Sequence, residues 1–382
     1  MPYWRLSSFY LFYFASIGAV MPFWALYLQS LGFTSVEIGQ LMALSLATKL
    51  VAPLVWGWVA DRDGRRMRIV RVATLFAVAA FTGVFFGHSF WWMVLVMLAF
   101  SFFWNAALPQ FEASTFNHLG TQVHRYSSVR LWGSVGFIMA VVAIGPMMDR
   151  FGIEVLPWVV FSLFAAIWCA SLLVPERAAS HLPFDHEPLR RVLRRPEVLA
   201  LLAVCFLVQA SHGPYYTFFT ILLRDHGYSG GMIGLLWALG VIAEVGVFVV
   251  MHRLVPRFGL RRLLLVSLLL TALRWVLIGG FVASLPVLLG AQVLHAASFG
   301  IYHAVAITLF NRFFTGSNQG KGQALYSSVS FGAGGALGTL VSGYAWEGLG
   351  SLPTFLMAAV CGVLAWWIAW RYIELPRHKV AG

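Results

Sequence analysis

The sequence predicts an all-α membrane protein: twelve transmembrane helices in two pseudo-symmetric six-helix bundles. Three observations carry that expectation. Apolar residues make up 60% of the 382 and charged residues only 10%, far from the composition of a soluble domain. The apolar residues fall into runs long enough to cross a bilayer, which takes about 20 residues. The second half of the chain also repeats the first at a constant offset, as a duplicated bundle does.

In chain order, spans are expected near residues 9–28, 38–60, 69–87, 91–114, 129–148, 154–174, 198–222, 230–252, 262–281, 285–308, 324–345 and 353–373. The first run has only Arg5 ahead of it and is too long for a signal-peptide core, so it is read as a retained span. Of 26 Lys and Arg residues, Lys49 and Arg274 lie inside spans, Arg150 and Arg224 fall on one set of loops, and the rest gather on the alternate set and at the termini. The positive-inside rule makes that richer face cytoplasmic and puts both termini there. The same distribution explains the formal charge of +12 without nucleic acid. Cys169, Cys205 and Cys361 sit in separate apolar segments with neither pairing nor metal spacing, so they read as small buried residues. No cofactor or metal site is expected.

Residues 176–196 form the one long polar stretch, with Pro183, Pro188 and Pro196. They are read as a cytoplasmic linker between bundles 1–175 and 197–382. The repeat agrees with that division. An offset of 195 carries Ser16, Gly18, Phe23, Leu28 and Gly32 onto Ser211, Gly213, Phe218, Leu223 and Gly227. It also carries Ile38, Gly39, Leu41 and Ala43 onto Ile233, Gly234, Leu236 and Ala238, and Gly64 onto Gly259. An offset of 200 carries Tyr126-Ser127-Ser128-Val129 onto Tyr326-Ser327-Ser328-Val329.

Between the second and third spans lies Gly57-Trp58-Val59-Ala60-Asp61-Arg62-Asp63-Gly64-Arg65-Arg66. Gly57 would let a neighbouring helix approach, Gly64 would turn the chain with φ > 0, and Asp61 would cap a helix end. The string resembles the motif that major facilitator superfamily transporters carry at this position: Gly, three residues, Asp, a basic residue, any residue, Gly and two basic residues. The resemblance implies the major facilitator fold, with Gly57, Asp61, Arg62, Gly64, Arg65 and Arg66 as a conformational latch. The corresponding stretch of the second half keeps Gly259 but has Pro256 in place of Asp61.

A charge deep in a span costs about 2.5–3.5 kcal/mol on insertion scales, so each is a functional candidate. Lys49, Glu112, Arg130, Glu244 and Arg274 qualify. Lys49 and Glu244 are related by the offset of 195 and would face each other across the pseudo-two-fold; a structural ion pair is the other reading. Glu112 and Arg130 flank one short loop and can pair, with Asn105 and Pro109 on the same helix face as Glu112. Either substrate contact or gating would suit them. In the tenth span Gln292, His295, Phe299 and His303 fall within an arc of about 80°. With Glu244 and Arg274 on adjacent helices, those histidines suggest proton loading and release. The seventh span adds Gln209, His212 and Tyr216 on one face, Tyr215 beside them, and a helix break at Gly213-Pro214. Broken helices at a repeat interface point to binding sites. Gly332, Gly334, Gly335 and Gly338 read as close helix packing or a hinge.

Further strings resemble the phenylpropionate permease branch of the superfamily, itself similar to lactose and nucleoside proton symporters. They are Val129-Arg130-Leu131-Trp132-Gly133-Ser134, His212 with Tyr215-Tyr216, Trp237 with Ala243-Glu244-Val245, Arg274-Trp275, and Leu294-His295 with His303. The resemblance implies substrate binding by Lys49, Asn105, Glu112, Arg130, Gln209, His212, Tyr215, Tyr216 and Trp237, and proton coupling by Glu244, Arg274, His295 and His303. Unlike the lactose symporters, the tenth span has no acid beside its histidines. The three basic and two acidic intramembrane side chains, with many rings, suit a small aromatic carboxylate such as 3-phenylpropionic acid. A sugar or nucleoside symporter is the second reading and an efflux antiporter the third. Gly145-Pro146 lacks the glycines that antiporters place after it. Enzymes are disfavoured: no paired aspartates, metal helix or nucleophile elbow occurs. The protein is expected to act as a monomer in a bacterial inner membrane.

Overall fold

The computed structural model describes residues 2–177, 189–315 and 319–373; the side chains of Asp61, Leu189, Arg190 and Gln319 also lie outside the described residues. Among the described residues, twelve helices are long and apolar enough to cross a bilayer. They are α1 (Tyr3–Ser30), α2 (Ser35–Ala60), α3 (Arg66–Phe85), α4 (Phe90–Leu119), α5 (Val123–Phe151), α6 (Val155–Leu173), α7 (Pro196–Asp225), α8 (Gly230–Phe258), α9 (Leu260–Gly280), α10 (Leu285–Phe313), α11 (Gly320–Leu349) and α12 (Ser351–Tyr372). Several outrun the expected spans. The apolar run measures the hydrocarbon crossing, whereas the helix goes on wherever its ends are capped. Of the expected linker, residues 178–188 lie outside the described residues.

The repeat seen in sequence is a repeat of local chemistry. Thr34 opens α2 with a capping box: its hydroxyl accepts from Glu37 N at 3.2 Å, and its own N–H donates to Glu37 Oε2 at 2.9 Å. Ser229, offset by the same 195, opens α8 by accepting from Met232 N at 3.2 Å. Past the far ends of these two helices, Gly64 and Gly259 both take positive φ, at 68° and 75°, where a side chain would be strained.

Within the first half α1 packs on α5 and α6, and α4 on α2 and α3; in the second, α7 packs on α11 and α12, and α10 on α8 and α9. The halves meet through α2 against α11, α5 against α8, and α1 against α7, a set that maps onto itself when the halves are exchanged. Arg71 in α3 donates to the Val174 carbonyl at 2.7 Å and the Ser171 carbonyl at 3.3 Å, beyond the last turn of α6. Arg261 in α9 does the same for α12, reaching Trp370 at 2.7 Å and Ile373 at 2.8 Å. Both satisfy helix-end carbonyls with charge of the favoured sign.

At the face opposite the arginine-rich loops the halves touch backbone to backbone. A Cβ on Gly145 would collide with the Gly230 carbonyl, and one on Gly39 would lie 2.8 Å from Gly343 Cα. Asp149 accepts from Gly230 N at 2.9 Å, Gly231 N at 3.0 Å and Arg224 Nη1 at 2.9 Å. Glu347 accepts from Val36 N at 2.9 Å. A carboxylate thus caps the α8 N-terminus from one half and the α2 N-terminus from the other.

Regular helix fails at three places, all in the second half. α7 breaks at His212, between Pro196–Ser211 and Gly213–Asp225, because Pro214 has no N–H to donate back. The expected break is therefore present. α10 contains a π-helical segment, Ala296–Ile301, and α11 another, Ser328–Gly334. In α11 a Cβ on Gly332 would strike Leu50 of α2, and one on Gly338 the Ala210 carbonyl of α7, so that glycine run does serve close packing.

Replacing Arg71 or Arg261 by Ala leaves two carbonyls without these donors and should cost about 1–3 kcal/mol each. The readout is a melting temperature several degrees lower for the purified protein in detergent. Unchanged melting in both variants would contradict the capping role.

Candidate functional site

Arg274 of α9 is completely buried. Its fork is filled by neutral acceptors: Nε donates to the Ala291 carbonyl at 3.0 Å, Nη1 to Ser298 Oγ at 3.1 Å and Nη2 to Gln292 Oε1 at 3.2 Å. Its guanidinium lies 4.2 Å from the Tyr215 ring centre and 4.8 Å from that of Trp275. No carboxylate pairs with it among the described residues. A second layer holds the first. Tyr215 donates to Gln292 Oε1 at 2.9 Å, Trp275 to Ser211 Oγ at 3.1 Å and Trp237 to Thr220 Oγ1 at 3.0 Å. His212 donates from Nδ1 to the Val208 carbonyl at 2.7 Å and meets Trp275 edge-on at 4.8 Å. Gln209, His212, Tyr215 and Trp237 are all buried, so they pack around Arg274 and leave Tyr216 as the partly exposed member of the α7 group.

The α10 stripe holds together through its π-helical turn. His295 stacks on Phe299 at 5.4 Å and 10°, and Phe299 on His303 at 5.4 Å and 9°. His295 Nε2 lies 3.3 Å from Glu244 Oε2 of α8, and His303 Nδ1 lies 2.7 Å from the Tyr326 hydroxyl of α11. Gln292 turns instead toward Arg274.

In the first half Lys49 is half-buried, its Nζ 6.0 Å from the Phe331 ring centre, and it has no ion-pair partner among the described residues. Lys49 and Glu244 stand fourteen residues beyond the starts of α2 and α8, Ser35 and Gly230. That is about 21 Å along each helix, near mid-bilayer. They do not pair, because Glu244 is taken by His295. The pair expected between Glu112 and Arg130 is also absent. Glu112 Oε1 accepts from Tyr126 at 3.2 Å, while Arg130 lies 3.7 Å from the Phe14 ring centre. Short loop length brought their helices together, but nearer rings and hydroxyls took the charges. Arg130 is within electrostatic reach of Glu244 and His303 across the interface between the halves. Asn105 donates to Thr48 Oγ1 at 2.8 Å and the Ser45 carbonyl at 3.2 Å, holding α4 on α2.

The latch string forms a compact turn. Arg62 lies 4.0 Å from the Trp58 ring centre, Arg66 donates to Gln110 Oε1 at 2.8 Å, and Arg65 precedes α3 as its N-cap residue. Gly57 is not pressed by a neighbour as expected: a Cβ there would meet only Gln110 Nε2, at 3.8 Å. The Asp61 side chain lies outside the described residues. Glu176, just past α6, accepts from the N–H groups of Met67 and Arg68 at 3.2 Å each, capping α3 from the start of the linker. A recess at the opposite face, lined by Leu26, Gln29, Met148, Ile153 and Arg224, lies beside the Asp149–Arg224 pair and away from these central charges.

Sequence reasoning missed Phe14, Tyr126, Ser298, Tyr326 and Phe331. In a chain that is 16% aromatic a single ring carries no signal. Phe331 had a faint one, as the sole aromatic residue between Ser328 and Gly338.

Two duplicated six-helix bundles, meeting around cations at mid-bilayer, define a membrane transporter and not an enzyme. The chain belongs to the MFS_1 like family, matched over residues 3–357, and is therefore an integral, multi-pass member of the major facilitator superfamily. It is 30% identical over 359 residues, 93% of this chain and 94% of the other, to a "Probable 3-phenylpropionic acid transporter" of Escherichia coli (strain K12). It is 28% identical to a maltose permease of Geobacillus stearothermophilus, over 99% of this chain and 96% of that one. The fold matches the crystal structure of the nucleoside transporter NupG with a TM-score of 0.86 at 15% identity, covering 97% of this chain and all of the other.

Arg274→Lys keeps the charge but not the fork, and one ammonium cannot reach acceptors at residues 291, 292 and 298 in the same geometry. Loss of about 1–3 kcal/mol is expected, visible as a lower melting temperature; wild-type melting would show that charge alone suffices.

Proposed function

We propose that the protein is a proton-coupled importer of a small aromatic carboxylate such as 3-phenylpropionic acid, working by alternating access. The observation that carries this reading is the charge state of the centre. Lys49, Arg130 and Arg274 have no carboxylate partner among the described residues, while Glu112 and Glu244 are engaged by Tyr126 and His295. An organic anion supplies the missing charge. The 30% identical relative supports the same substrate class.

In this reading Lys49, Arg130, Glu112 and Tyr216, all partly exposed, line the substrate path. Gln209, His212, Tyr215 and Trp237 position Arg274, and Asn105 fixes α4 against α2. Glu244 and His295 share the proton, with Arg274 and His303 biasing its release as access alternates. One proton per monoanion makes the step electroneutral. The moving bodies are residues 1–175 and 197–382, joined by 176–196. The arginine-rich face is cytoplasmic, both termini lie there, and the protein acts as a monomer in a bacterial inner membrane. Opening to the outside separates Asp149 from the α8 N-terminus and Glu347 from α2. The Gly57–Arg66 turn, with Asp61, latches the cytoplasmic side. A sugar is the second reading, favoured by the maltose permease relative.

Labelled 3-phenylpropionate should accumulate in proteoliposomes only under an inward proton gradient. Glu244→Gln should abolish accumulation while keeping substrate exchange. Accumulation of labelled maltose with none of the aromatic acid would replace this reading by the second one, and full accumulation by Glu244→Gln would remove Glu244 from proton coupling.

A further inference from the structure

The geometry points to a ring-selective subsite built by the two π-helical segments, in which Phe331 recognises an aryl group and Lys49 the carboxylate tethered to it. The inference rests on the proposed carboxylate transport and adds which side chain sets selectivity.

π-helix accounts for well under 1% of residues in globular proteins, is less stable than α-helix, and is found mostly at functional sites. Here two such segments lie on α10 and α11, and each brings one phenylalanine to the same place. Phe299 and Phe331 stand 6.3 Å apart at 55°. Behind them, His303 lies 6.2 Å from Phe331, and Tyr326 meets Phe331 edge-on at 5.9 Å and 82°. Tyr326 is buried and tied to His303 at 2.7 Å, so the wall that braces Phe331 is fixed. Phe331 itself remains partly exposed, as does Lys49. Its followers on α11 are Gly332, Ala333 and Gly334, which add no bulk that would cover the ring.

The spacing selects a ligand shape. A carboxylate bonded to an ammonium sits about 2.8 Å from it, and an offset-stacked ring sits about 4.5–7 Å from its partner's centre. With Lys49 Nζ 6.0 Å from the Phe331 centre, both contacts are made at once by an aryl group joined to its carboxylate through roughly one to three carbons. An aliphatic acid of equal length keeps the contact with Lys49 but gives up the ring–ring term. A sugar can stack on Phe331 but gains nothing from the charge of Lys49.

The test is equilibrium binding of 3-phenylpropionate and of hexanoate to the purified full chain, with melting temperatures taken alongside. The variants are Phe331→Leu, Phe331→Tyr and Lys49→Gln. The preference of the wild type for the aryl acid should fall roughly two- to tenfold in Phe331→Leu, the size of one aromatic pair, and be kept in Phe331→Tyr. Lys49→Gln should weaken both acids about equally. If the wild type binds both acids and folded Phe331→Leu keeps the preference, or folded Phe331→Tyr loses it, the subsite is overturned while carboxylate recognition stands. If the wild type binds neither acid, the carboxylate reading fails and the subsite falls with it.

Discussion

The second bundle is organised by a guanidinium held out of water. An unpaired cation in a low-dielectric interior is strongly disfavoured, and Arg274 is tolerated because every arm of its fork finds an acceptor and two ring faces lie on it. Meeting those demands fixes the neighbours. Gln292 must turn away from the histidine stripe, Ser298 must sit inside the π-helical turn of α10, and Tyr215 must lie against both Arg274 and Gln292. The break at His212 and the bulge at Ala296–Ile301 are then local departures from regular helix that put donors, acceptors and rings around one charge.

Hydrogen bonds to neutral groups satisfy geometry without cancelling charge. The positive potential of Arg274 therefore persists, and Lys49 and Arg130 add to it from the other half. The two acids nearby are each engaged by a hydrogen-bonding side chain, so the centre is left cationic. Such a centre can be neutralised by an incoming anion, and the Glu244–His295 contact gives it a group that can exchange a proton as the anion arrives. Both charges and rings come from both halves, so a rearrangement of α2 against α11 or of α5 against α8 changes the site directly.

Much of the architecture was legible in the sequence because a bilayer demands it. Twelve apolar runs, basic loops and an offset of 195 follow from hydrocarbon thickness, charge placement and duplication, and Thr34 and Ser229 show the duplication reaching into helix caps. The helix break at Gly213-Pro214 was legible because proline lacks a donor. The partnering of charges was not. Helix adjacency allowed Glu112 to pair with Arg130 and Lys49 to face Glu244, but Tyr126, Phe14, Phe331 and His295 compete at shorter range, and sequence spacing does not register them. Depth of burial was hidden as well: Tyr215 and Tyr216 are adjacent and chemically alike, yet one is sealed against Arg274 and the other partly exposed. The π-helical turns left no periodicity to find, since each is a departure of one residue from a regular pattern.

The most direct test of the account is proton movement driven by substrate alone. In lightly buffered proteoliposomes with no imposed gradient, adding 3-phenylpropionate outside should make the external medium more alkaline as protons enter with the anion, and the change should vanish with a protonophore. Substrate entry without any pH change, or with acidification, would contradict a proton-coupled importer built on the Glu244–His295 pair.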